Sequence, residues 1–437
     1  MKVIIMAGGK GTRIASVAGN IPKPMISVGG KPVLEHLIDN LRSCQLTNIT
    51  LVTGHLSEAI RNHFGNGHDF GVDISYFTED HPLGTAGALF QMSGLDSDFL
   101  LLCGDVLTGV DFNRFISFHR HCGAWASLMA HPNDHPFDSS LLVTETLPPQ
   151  QPGTLPVDTH RVTAWLNKED SRQYYQNRVN AGIEILSPRL LEATRSHFVP
   201  RHPKTPDKID LDRDVLKPAI GSGRIYAYDT PEYIKDMGTP DRLQQVEHDL
   251  LSGRVAARNL SHRQRAVFLD RDGTINVYKG FLSRAADLEL LPGAAQAIRL
   301  INQSGFLAIV VSNQPVIARG DCTFDELRTI HNKMETLLGK EGAYVDAIYY
   351  CPHHPDSGFA GERADYKVGC SCRKPQPGLL LKAAEEWNID LAESYIIGDS
   401  DRDTQAGRTA GCKASLLIAT NQPFALVAAV KRVLSLT

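Results

Sequence analysis

The feature of this sequence that most limits its possible folds is a short apolar run ending in a loop of glycine and charged residues, and it occurs twice. The chain opens with MKVIIMAGGKGTR, and residues 266–274 read AVFLDRDGT. Apolar runs of this kind that alternate with helical patterns are typical of parallel strands covered by helices. The 437 residues also exceed the usual size of a single hydrophobic core. We therefore predict two α/β domains.

The join between the domains is predicted from the place where this alternation stops and restarts. Strand-like and helix-like segments alternate from residue 1 to 249, and VLEHLIDNLRSC at 33–44 has apolar residues at helical spacing. A polar, arginine-rich segment follows at 250–265, and the pattern then restarts. We predict domains at 1–249 and 266–437, with 250–265 as the linker.

Charge and hydropathy exclude several classes of partner. The net charge is −4, which gives no electrostatic reason to expect nucleic acid or an anionic membrane as a partner. No apolar run in the sequence approaches the ~20 residues of a membrane span, and the N-terminal run is too short and too rich in glycine for a secretion signal. We expect a cytoplasmic protein whose partners are small molecules.

The first loop, AGGKGTR at 7–13, directly follows the first predicted strand. Glycines allow positive φ and bring backbone N–H groups close to phosphate oxygens, and arginine adds a fork of donors that suits phosphate. A tight turn without a ligand is the alternative, because the spacing matches neither the P-loop nor the dinucleotide-binding motif. The residues predicted to bind a nucleotide here are Gly8, Gly9, Gly11, Thr12 and Arg13.

Further segments of the first half support nucleotide binding. PKPM holds a lysine between prolines, PLGTAGAL is a second loop of small residues, and CGD ends a strand with a carboxylate where such sheets bind ligands. NKED, NAG and KDMGTP follow; each residue alone could be a solvated charge or a turn. The candidate residues are Lys23, Gly84, Thr85, Asp105, Lys168, Asn180 and Asp236. As an ordered set, these segments resemble the sugar-1-phosphate nucleotidyltransferase family over residues 1–245.

That resemblance implies a Rossmann-like mixed sheet and a defined reaction. A sugar phosphate oxygen attacks the α-phosphorus of a nucleoside triphosphate, and pyrophosphate leaves. Asp105 and Asp236 would bind Mg²⁺, Lys23 would contact the triphosphate, and Lys168 and Asn180 would face the sugar phosphate. Mg²⁺ and fixed cations are needed because both reactants are anions. IASVAGNIPKPM and DHPLGTAGAL look closest to the branch that uses GTP and D-glycero-α-D-manno-heptose 1-phosphate.

FLDRDGT at 268–274 predicts a second catalytic loop. Asp270 ends a strand and Asp272 lies two residues further on, so both carboxylates can face one cavity. The first can attack phosphorus, and the second can protonate the leaving alcohol and later activate water. A plain turn is the alternative, since aspartate and glycine are common in turns.

Three later segments favour the catalytic interpretation. VVSNQ and IIGDSDRD end strands, and CRKP supplies two cations. Asp399 would complete a Mg²⁺ site with Asp270 and the backbone oxygen of Asp272. The other candidates are Ser312 and Asn313 as donors to phosphoryl oxygens, and Arg373 and Lys374 as cations, of which the lysine can neutralise an aspartyl-phosphate. This order resembles the haloacid-dehalogenase phosphatase superfamily over about residues 266–420, which implies a doubly wound parallel sheet.

The segment CPHHPDSGFAGERADYKVGCSCRKP at 351–375 carries three cysteines and a histidine in a C-x-H…C-x-C arrangement. Three thiolates and one imidazole match a tetrahedral structural Zn²⁺ site. His354 is the alternative to His353, and a Cys370–Cys372 disulfide is disfavoured in the cytoplasm. Such a zinc loop would hold the CRKP cations in place. The predicted ligands are Cys351, His353, Cys370 and Cys372.

This loop occurs in two related phosphatases, which act on D-glycero-D-manno-heptose 1,7-bisphosphate and on histidinol phosphate. CPHHP, the insert before CSCRKPQPG and SNQPVIARG look more like the heptose 7-phosphatase, whose members usually have Ser-Gly at Pro315 and Val316. Together the resemblances imply two consecutive steps of GDP-heptose biosynthesis for bacterial lipopolysaccharide. The alternatives are a histidinol-phosphate-type phosphatase fused to a nucleotidyltransferase for another sugar 1-phosphate, and a binding protein with a decayed site.

Overall fold

The computed structural model describes residues 1–8, 21–54, 56–149, 151–195, 208–358 and 360–436. The chain forms two compact units. The first unit consists of residues 1–130, 160–165 and 180–259, and the second consists of residues 131–159, 166–179 and 260–437. Within the described ranges, no helix has the length and apolar character that crossing a bilayer requires.

Strands and helices alternate through most of the chain. The described strands are β1 (Lys2–Met6), β2 (Ser27–Val28), β3 (Lys31–Pro32), β4 (Asn48–Thr53), β5 (Asp73–Thr78), β6 (Phe99–Cys103), β7 (Val106–Gly109), β8 (Ala126–His131), β9 (Leu141–Leu147), β10 (Val157–Leu166), β11 (Val179–Leu186), β12 (Ile225–Asp229), β13 (Tyr233–Asp236), β14 (Arg265–Leu269), β15 (Phe306–Asn313), β16 (Ala347–Cys351), β17 (Tyr395–Gly398) and β18 (Ala414–Leu417). The described α-helices are α1 (Val33–Ser43), α2 (Ser57–Phe64), α3 (Gly87–Gln91), α4 (Phe112–Cys122), α5 (Pro188–Arg195), α6 (Lys217–Ala219), α7 (Pro240–Leu251), α8 (Arg254–Ala257), α9 (Ala294–Asn302), α10 (Val316–Arg319), α11 (Phe324–Lys340), α12 (Gly378–Glu386), α13 (Asp401–Ala410) and α14 (Ala425–Leu434).

A mixed sheet forms the centre of the first unit, as the sequence predicts. Its strand order is β5-β4-β1-β6-β11-β8-β12-β10. The strands from β5 to β6 are parallel to their neighbours, whereas β11 is antiparallel to β6. Helix α1 begins directly after Pro32 and buries Leu34, Leu37, Ile38 and Leu41. This apolar face, spaced at three and four residues, packs in the same core as strands β1 and β4.

The second unit is built on a fully parallel sheet with the order β16-β15-β14-β17-β18. Successive residues of β14 enter different cores: Val267 and Leu269 join one cluster, and Ala266 and Phe268 join another. Helices α9, α11 and α14 contribute to the first cluster, and α12 and α13 contribute to the second. Helices therefore cover both faces, which confirms the predicted doubly wound parallel sheet.

Two segments that come before the predicted linker belong to the second unit. Within it, Leu141 of β9 is the register partner of Val179, and the backbone N–H of Tyr175 donates to the Thr336 hydroxyl of α11 at 3.0 Å. The later passage between units falls inside 250–265, between residues 259 and 260. The sequence analysis assigned residues 131–159 and 166–179 to the first domain and did not anticipate that they join the second unit. The domain boundaries stay a prediction.

Candidate active sites

The first candidate site lies where β1, β4 and β5 of the first unit end. Gly8 follows β1, and a Cβ placed there would lie 3.3 Å from both the Gly54 nitrogen and the Glu79 carboxylate oxygen Oε2. The glycine therefore allows three strand ends to meet closely. The other predicted residues of this loop, Gly9, Gly11, Thr12 and Arg13, lie outside the described residues.

Glu79 is a residue of this site that the sequence analysis missed. Its Oε1 and the Thr53 hydroxyl are both buried and have no hydrogen-bond partner among the described residues. Burial raises the pKa of the Glu79 carboxyl, and a hydrogen bond from the backbone N–H of Leu83 opposes that shift. The unpartnered oxygens of Thr53 and Glu79 lie next to Gly8 and Gly54, which have no side chains. This arrangement suits a flat ligand that forms hydrogen bonds along its edge. Glu79 directly precedes the DHPLGTAG motif. That position next to a predicted binding loop was the sequence signal that could have identified Glu79.

Gly84 and Thr85, which were predicted to bind substrate, dock another part of the chain. Gly84 has φ +86°, and a Cβ there would lie 2.3 Å from the Ile209 carbonyl oxygen. The Thr85 hydroxyl accepts a hydrogen bond from the backbone N–H of Leu211 at 2.7 Å, and Ala86 N donates to Ile209 O at 3.0 Å. The small-residue loop is therefore held against residues 209–211, and its contact with a ligand stays a prediction.

The two aspartates predicted to bind Mg²⁺ come together through an antiparallel strand pair. Asp105 directly precedes β7, and Asp236 of β13 is the register partner of Val106. Lys23 is in direct contact with the Asp105 carboxylate, and Arg242 Nη1 donates to both oxygens of Asp236, at 2.8 and 3.0 Å. Paired carboxylates are the hard oxygen ligands that Mg²⁺ prefers, so these residues fit that ion.

The two residues predicted to face the sugar phosphate differ in their surroundings. Asn180 lies on β11 of the first unit, and its Oδ1 is buried with no hydrogen-bond partner among the described residues. Lys168 is exposed in the turn that follows β10 and belongs to the second unit. Their shared role stays a prediction.

The second candidate site surrounds the buried ammonium group of Lys374 in the second unit. Lys374 Nζ lies 2.7 Å from Asp270 Oδ1 and 2.5 Å from Asp403 Oδ1, and it donates to the Val311 carbonyl at 2.7 Å. Burial raises the pKa of Asp270, and the nearby ammonium opposes this shift. Burial alone would lower the pKa of Lys374, but the two carboxylates outweigh it and raise the pKa. The positive charge of Lys374 therefore offsets the negative charge of two carboxylates, Asp270 and Asp403.

Asp399 approaches this group because the loop after β14 contains a glycine. Gly273 has φ +82°, and a Cβ there would lie 2.1 Å from Asp399 Oδ2. Ligand atoms of Asp270, Asp399 and Asp403 lie within 4.8 Å of one another. Asp403 Oδ2 accepts from both the backbone N–H and the hydroxyl of Ser400, at 3.0 and 2.7 Å, so Asp403 positions Lys374. The remaining carboxylates, Asp270 and Asp399, fit a magnesium ion.

Asp272 is held by three neighbours that the sequence analysis did not single out. Arg271 Nη2 donates to both of its oxygens, at 2.9 and 2.8 Å. Asn276 and Gln314 donate their amide N–H groups at 2.9 and 2.8 Å. Burial alone would raise the pKa of Asp272, but the guanidinium and these hydrogen bonds lower it. These contacts favour the carboxylate form of Asp272 in the ligand-free protein.

The predicted phosphate donors Ser312 and Asn313 make contacts within the protein. The Ser312 hydroxyl accepts from Gln314 Nε2 at 2.7 Å. Asn313 Oδ1 accepts from the backbone N–H of Lys374, and Asn313 Nδ2 donates to the Lys374 carbonyl, both at 3.0 Å. Asn313 thus fixes the backbone of the lysine whose ammonium lies beside Asp270, and a direct contact with phosphate stays a prediction.

The four predicted zinc ligands form one buried cluster. Cys351 Sγ lies 3.5 Å from Cys370 Sγ and 3.2 Å from Cys372 Sγ, and the two latter sulfurs are 3.2 Å apart. His353 Nδ1 lies 3.6 Å from Cys351 Sγ and 3.3 Å from Cys372 Sγ. Sulfurs around a tetrahedral zinc are separated by about 3.8 Å, so the four side chains fit that ion. All eight cysteines are free thiols.

His354 and Arg373, which neighbour this cluster in the sequence, form hydrogen bonds of their own. His354 Nδ1 accepts from the backbone N–H of Asp356 at 3.2 Å, and His354 is not part of the cluster. Arg373 Nη1 donates to the His353 carbonyl at 3.0 Å. The loop with the cysteine-histidine cluster therefore holds Arg373 directly and Lys374 through the adjacent peptide.

Comparisons with known proteins agree with this division of the sites. Residues 2–253 match the nucleotidyl transferase family, and residues 371–422 match the HAD-hydrolase-like family. The first match covers more than half of the 437 residues. The chain belongs to the nucleotidyl transferase family.

The C-terminal part of this nucleotidyltransferase has its own relatives. The D-glycero-β-D-manno-heptose-1,7-bisphosphate 7-phosphatase of Yersinia pestis is 40% identical over 158 residues, which cover 36% of this chain and 82% of that protein. The enzyme of the same name from Escherichia coli K12 is also 40% identical over 158 residues and is covered to 81%. This part of the chain belongs to the same family as these phosphatases, and the chain joins a nucleotidyltransferase domain to a phosphatase domain.

Solved structures resemble each part separately. HddC from Yersinia pseudotuberculosis, complexed with GMP-PN, is 25% identical and aligns with 57% of this chain and 99% of its own, at a TM-score of 0.44. D,D-heptose 1,7-bisphosphate phosphatase from B. bronchiseptica, complexed with magnesium and phosphate, is 34% identical and aligns with 40% of this chain and 100% of its own, at a TM-score of 0.35.

The departure at Pro315 and Val316 has a structural explanation in the phosphatase domain. Pro315 directly precedes α10, where a missing backbone N–H costs no helical hydrogen bond. Val316 is buried in the core that includes Ile317 and Met334. The larger residues therefore contribute to packing at the start of this helix.

Proposed function

We propose that the chain catalyses two consecutive steps of GDP-heptose biosynthesis. The phosphatase domain removes the 7-phosphate of D-glycero-D-manno-heptose 1,7-bisphosphate. The nucleotidyltransferase domain then transfers GMP from GTP to D-glycero-α-D-manno-heptose 1-phosphate and releases pyrophosphate. The observation that carries the proposal is the 40% identity to heptose bisphosphate phosphatases in a chain whose residues 2–253 match the nucleotidyl transferase family.

In the phosphatase step, Asp270 acts as the nucleophile. Its Oδ1 is bound to Lys374 at 2.7 Å, so the other oxygen is the one that bonds to phosphorus while the bond to the sugar oxygen breaks. Asp272 delivers a proton to that leaving oxygen and later takes one from the water that hydrolyses the aspartyl-phosphate. Its lowered pKa favours the second of these roles. Lys374 offsets charge on the phosphorylated aspartate.

In the transfer step, the sugar phosphate oxygen attacks the α-phosphorus in line and pyrophosphate leaves. Lys23 supplies a fixed positive charge beside Asp105. Glu79 supports guanine as the base, because a carboxylate accepts hydrogen bonds from the adjacent N1–H and N2–H donors of guanine, whereas adenine offers a donor next to an acceptor.

The donor sets support two kinds of metal. We propose Mg²⁺ at Asp105 and Asp236, and a second Mg²⁺ at Asp270, Asp399 and the backbone oxygen of Asp272. When bound, these ions offset phosphate charge. We propose structural Zn²⁺ at the cysteine-histidine cluster, because three thiolates and an imidazole suit that ion. Since GTP is a cytoplasmic metabolite, the reactions belong in the cytoplasm.

The alternative of a histidinol-phosphate-type phosphatase is not favoured by the relatives, which are named for heptose bisphosphate. Neither proposed step breaks the bond between C1 and its oxygen, so both domains must use the same anomer. The relatives are named for the β anomer, whereas the proposed transfer uses the α anomer. The anomer is therefore the point on which an assay is most informative.

The test supplies the full chain with α- or β-heptose 1,7-bisphosphate, Mg²⁺, and GTP, ATP, CTP or UTP in turn. We expect one phosphate, one pyrophosphate and one GDP-heptose per α-bisphosphate consumed with GTP. Histidinol phosphate is the comparison substrate. Its hydrolysis without any hydrolysis of heptose bisphosphate would overturn the proposal, and so would a sugar nucleotide formed only with another base.

A further inference from the structure

Gln314 is a buried side chain of the phosphatase domain to which the proposed reaction gives no role. It directly follows β15 and is 2% exposed. Its Nε2 donates to Asp272 Oδ2 at 2.8 Å and to the Ser312 hydroxyl at 2.7 Å. An amide nitrogen carries two N–H groups, so one binds the proposed proton donor and the other binds a predicted phosphate-binding residue.

Gln314 differs from the other donors to Asp272 in the part of the fold that it comes from. Arg271 and Asn276 belong to the same loop as Asp272. Gln314 lies 42 positions away, at the end of the parallel neighbouring strand β15. Arg271 and Asn276 therefore fix the Asp272 carboxylate relative to its own loop, whereas Gln314 fixes it relative to the next strand of the sheet.

The backbone of Gln314 is held on both sides. Its N–H donates to the Cys351 carbonyl at 2.8 Å, and Cys351 ends β16 within the cysteine-histidine cluster. Pro315 follows directly, and a residue before proline is restricted mainly to extended backbone conformations. The carboxamide of Gln314 therefore projects from a fixed backbone, as a residue that orients other groups requires.

The hydrogen bond from Gln314 also determines how the Ser312 hydroxyl can act. Because this hydroxyl accepts from the amide, its own proton stays available for another acceptor. A phosphoryl oxygen is such an acceptor, and in a phosphate ester the leaving oxygen is bonded to the same phosphorus atom. A donor to the phosphoryl group and a proton donor to the leaving oxygen must therefore keep a fixed relation to each other, and Gln314 binds both.

We propose that Gln314 is a positioning residue for phosphate-ester cleavage, which orients Asp272 relative to Ser312 so that the proton reaches the leaving oxygen. This inference rests on the proposed function. In that step a carboxylate oxygen of Asp270 bonds to phosphorus, the bond from phosphorus to the leaving oxygen breaks, and the Asp272 proton passes to that oxygen. Gln314 itself neither gains nor loses a proton. Its effect is therefore greatest for esters whose leaving oxygen needs protonation.

The test compares two esters in the full chain with Mg²⁺. Gln314→Met removes both N–H donors and keeps a side chain of similar length that packs adaptably. The sugar oxygen of heptose 1,7-bisphosphate leaves poorly without a proton, whereas p-nitrophenyl phosphate releases a stable anion. We measure kcat/KM, because it includes the steps up to departure of the leaving group and omits the later hydrolysis of the aspartyl-phosphate.

We expect Gln314→Met to lower kcat/KM for heptose bisphosphate by about 100-fold and to change the value for p-nitrophenyl phosphate little. Gln303→Met, at an exposed glutamine after α9, is the matched control and should keep both values. An equal fall for the two esters would assign Gln314 a structural role only and would overturn the inference, as would two unchanged values. If Gln314→Met does not fold, Gln314→Asn carries the comparison, because its shorter side chain cannot reach both partners.

A second measurement needs heptose bisphosphate alone. If Gln314 acts through Asp272, Gln314→Met should lower kcat/KM much less in a chain that carries Asp272→Asn than in the parent. Equal falls in both backgrounds would contradict the inference.

Failure of the proposed function gives a different result. A parent that hydrolyses histidinol phosphate and not heptose bisphosphate would refute the proposed substrate. Histidinol phosphate then serves as the alkyl ester, and the same difference from p-nitrophenyl phosphate still tests Gln314. A parent that cleaves p-nitrophenyl phosphate and neither alkyl phosphate would overturn both the proposed function and the role of Gln314.

Discussion

Replacing Asn313 tests whether this residue holds Lys374 or binds phosphate. Its amide makes two hydrogen bonds to the Lys374 backbone, each of 3.0 Å, and Lys374 is 2% exposed. Asn313→Ala removes both bonds and leaves a buried N–H and a buried C=O without partners. Each such group costs about 1–3 kcal/mol, so the two together should cost the local structure roughly 2–6 kcal/mol.

The loss should appear in both catalysis and backbone protection. A displacement of about 1 Å near the reacting atoms can lower a rate about 100-fold, and we expect a fall of that order in kcat for phosphate release from heptose bisphosphate. The Lys374 amide should exchange its hydrogen faster in the ligand-free protein, which mass spectrometry can follow in a peptide over residues 371–377. Nucleotidyl transfer by the same sample is the internal control and should keep its rate.

The opposite role gives a different pattern. A residue that only donates to phosphate would raise KM on substitution and leave hydrogen exchange of the ligand-free protein unchanged. Asn313→Asp sharpens the comparison, because it keeps the acceptor for the Lys374 N–H and should leave that amide more protected than Asn313→Ala does. Unchanged exchange in Asn313→Ala would refute the positioning role.

Three further predictions concern the whole chain. Asp270→Asn should abolish phosphate release and spare nucleotidyl transfer, and Asp105→Ala should do the reverse; loss of both activities in either variant would contradict independent sites. A strong chelator should release about one zinc per chain and lower the midpoint of thermal unfolding, and a metal-free protein of full stability would refute the structural role. Burial, aided by Arg271, lowers the pKa of His331 from 6.5 to about 3. Unfolding exposes a group that binds a proton below pH 6.5, so stability should fall by about 1.4 kcal/mol per pH unit below that value. Urea unfolding between pH 7 and 5 measures this slope, and an equally steep slope in His331→Gln would assign it to other groups.

The sequence predicts the residues that end strands better than the residues that support them. Asp270 and Asp399 follow parallel neighbours β14 and β17, so the rule that such strand ends meet at one sheet edge was sufficient to place them together. The grouping of Cys351, His353, Cys370 and Cys372 followed from ligand type and spacing. Both inferences use local sequence patterns that few other structural roles would produce.

The supporting contacts could not be predicted because their residue types have many common uses. Asn313 was interpreted as a phosphate donor, since nothing local shows that Lys374, 61 positions later, presents both backbone polar groups to it. Gln314 approaches Asp272 across 42 positions, and the buried environment of Glu79 depends on three strand ends. Such contacts are fixed by the packed fold and leave no periodic signal in the chain.

The inclusion of residues 131–159 and 166–179 in the second unit affects how the two activities could ever be separated. A gene split at residue 260 would give a fragment in which Thr336 and Glu335 of α11 lack the backbone N–H groups of Tyr175 and Asn177 that donate to them. Gly339, which leaves room for Pro136, would face water. Selection would therefore tend to keep the two domains in one gene product. The cell would then contain equal numbers of the two active sites.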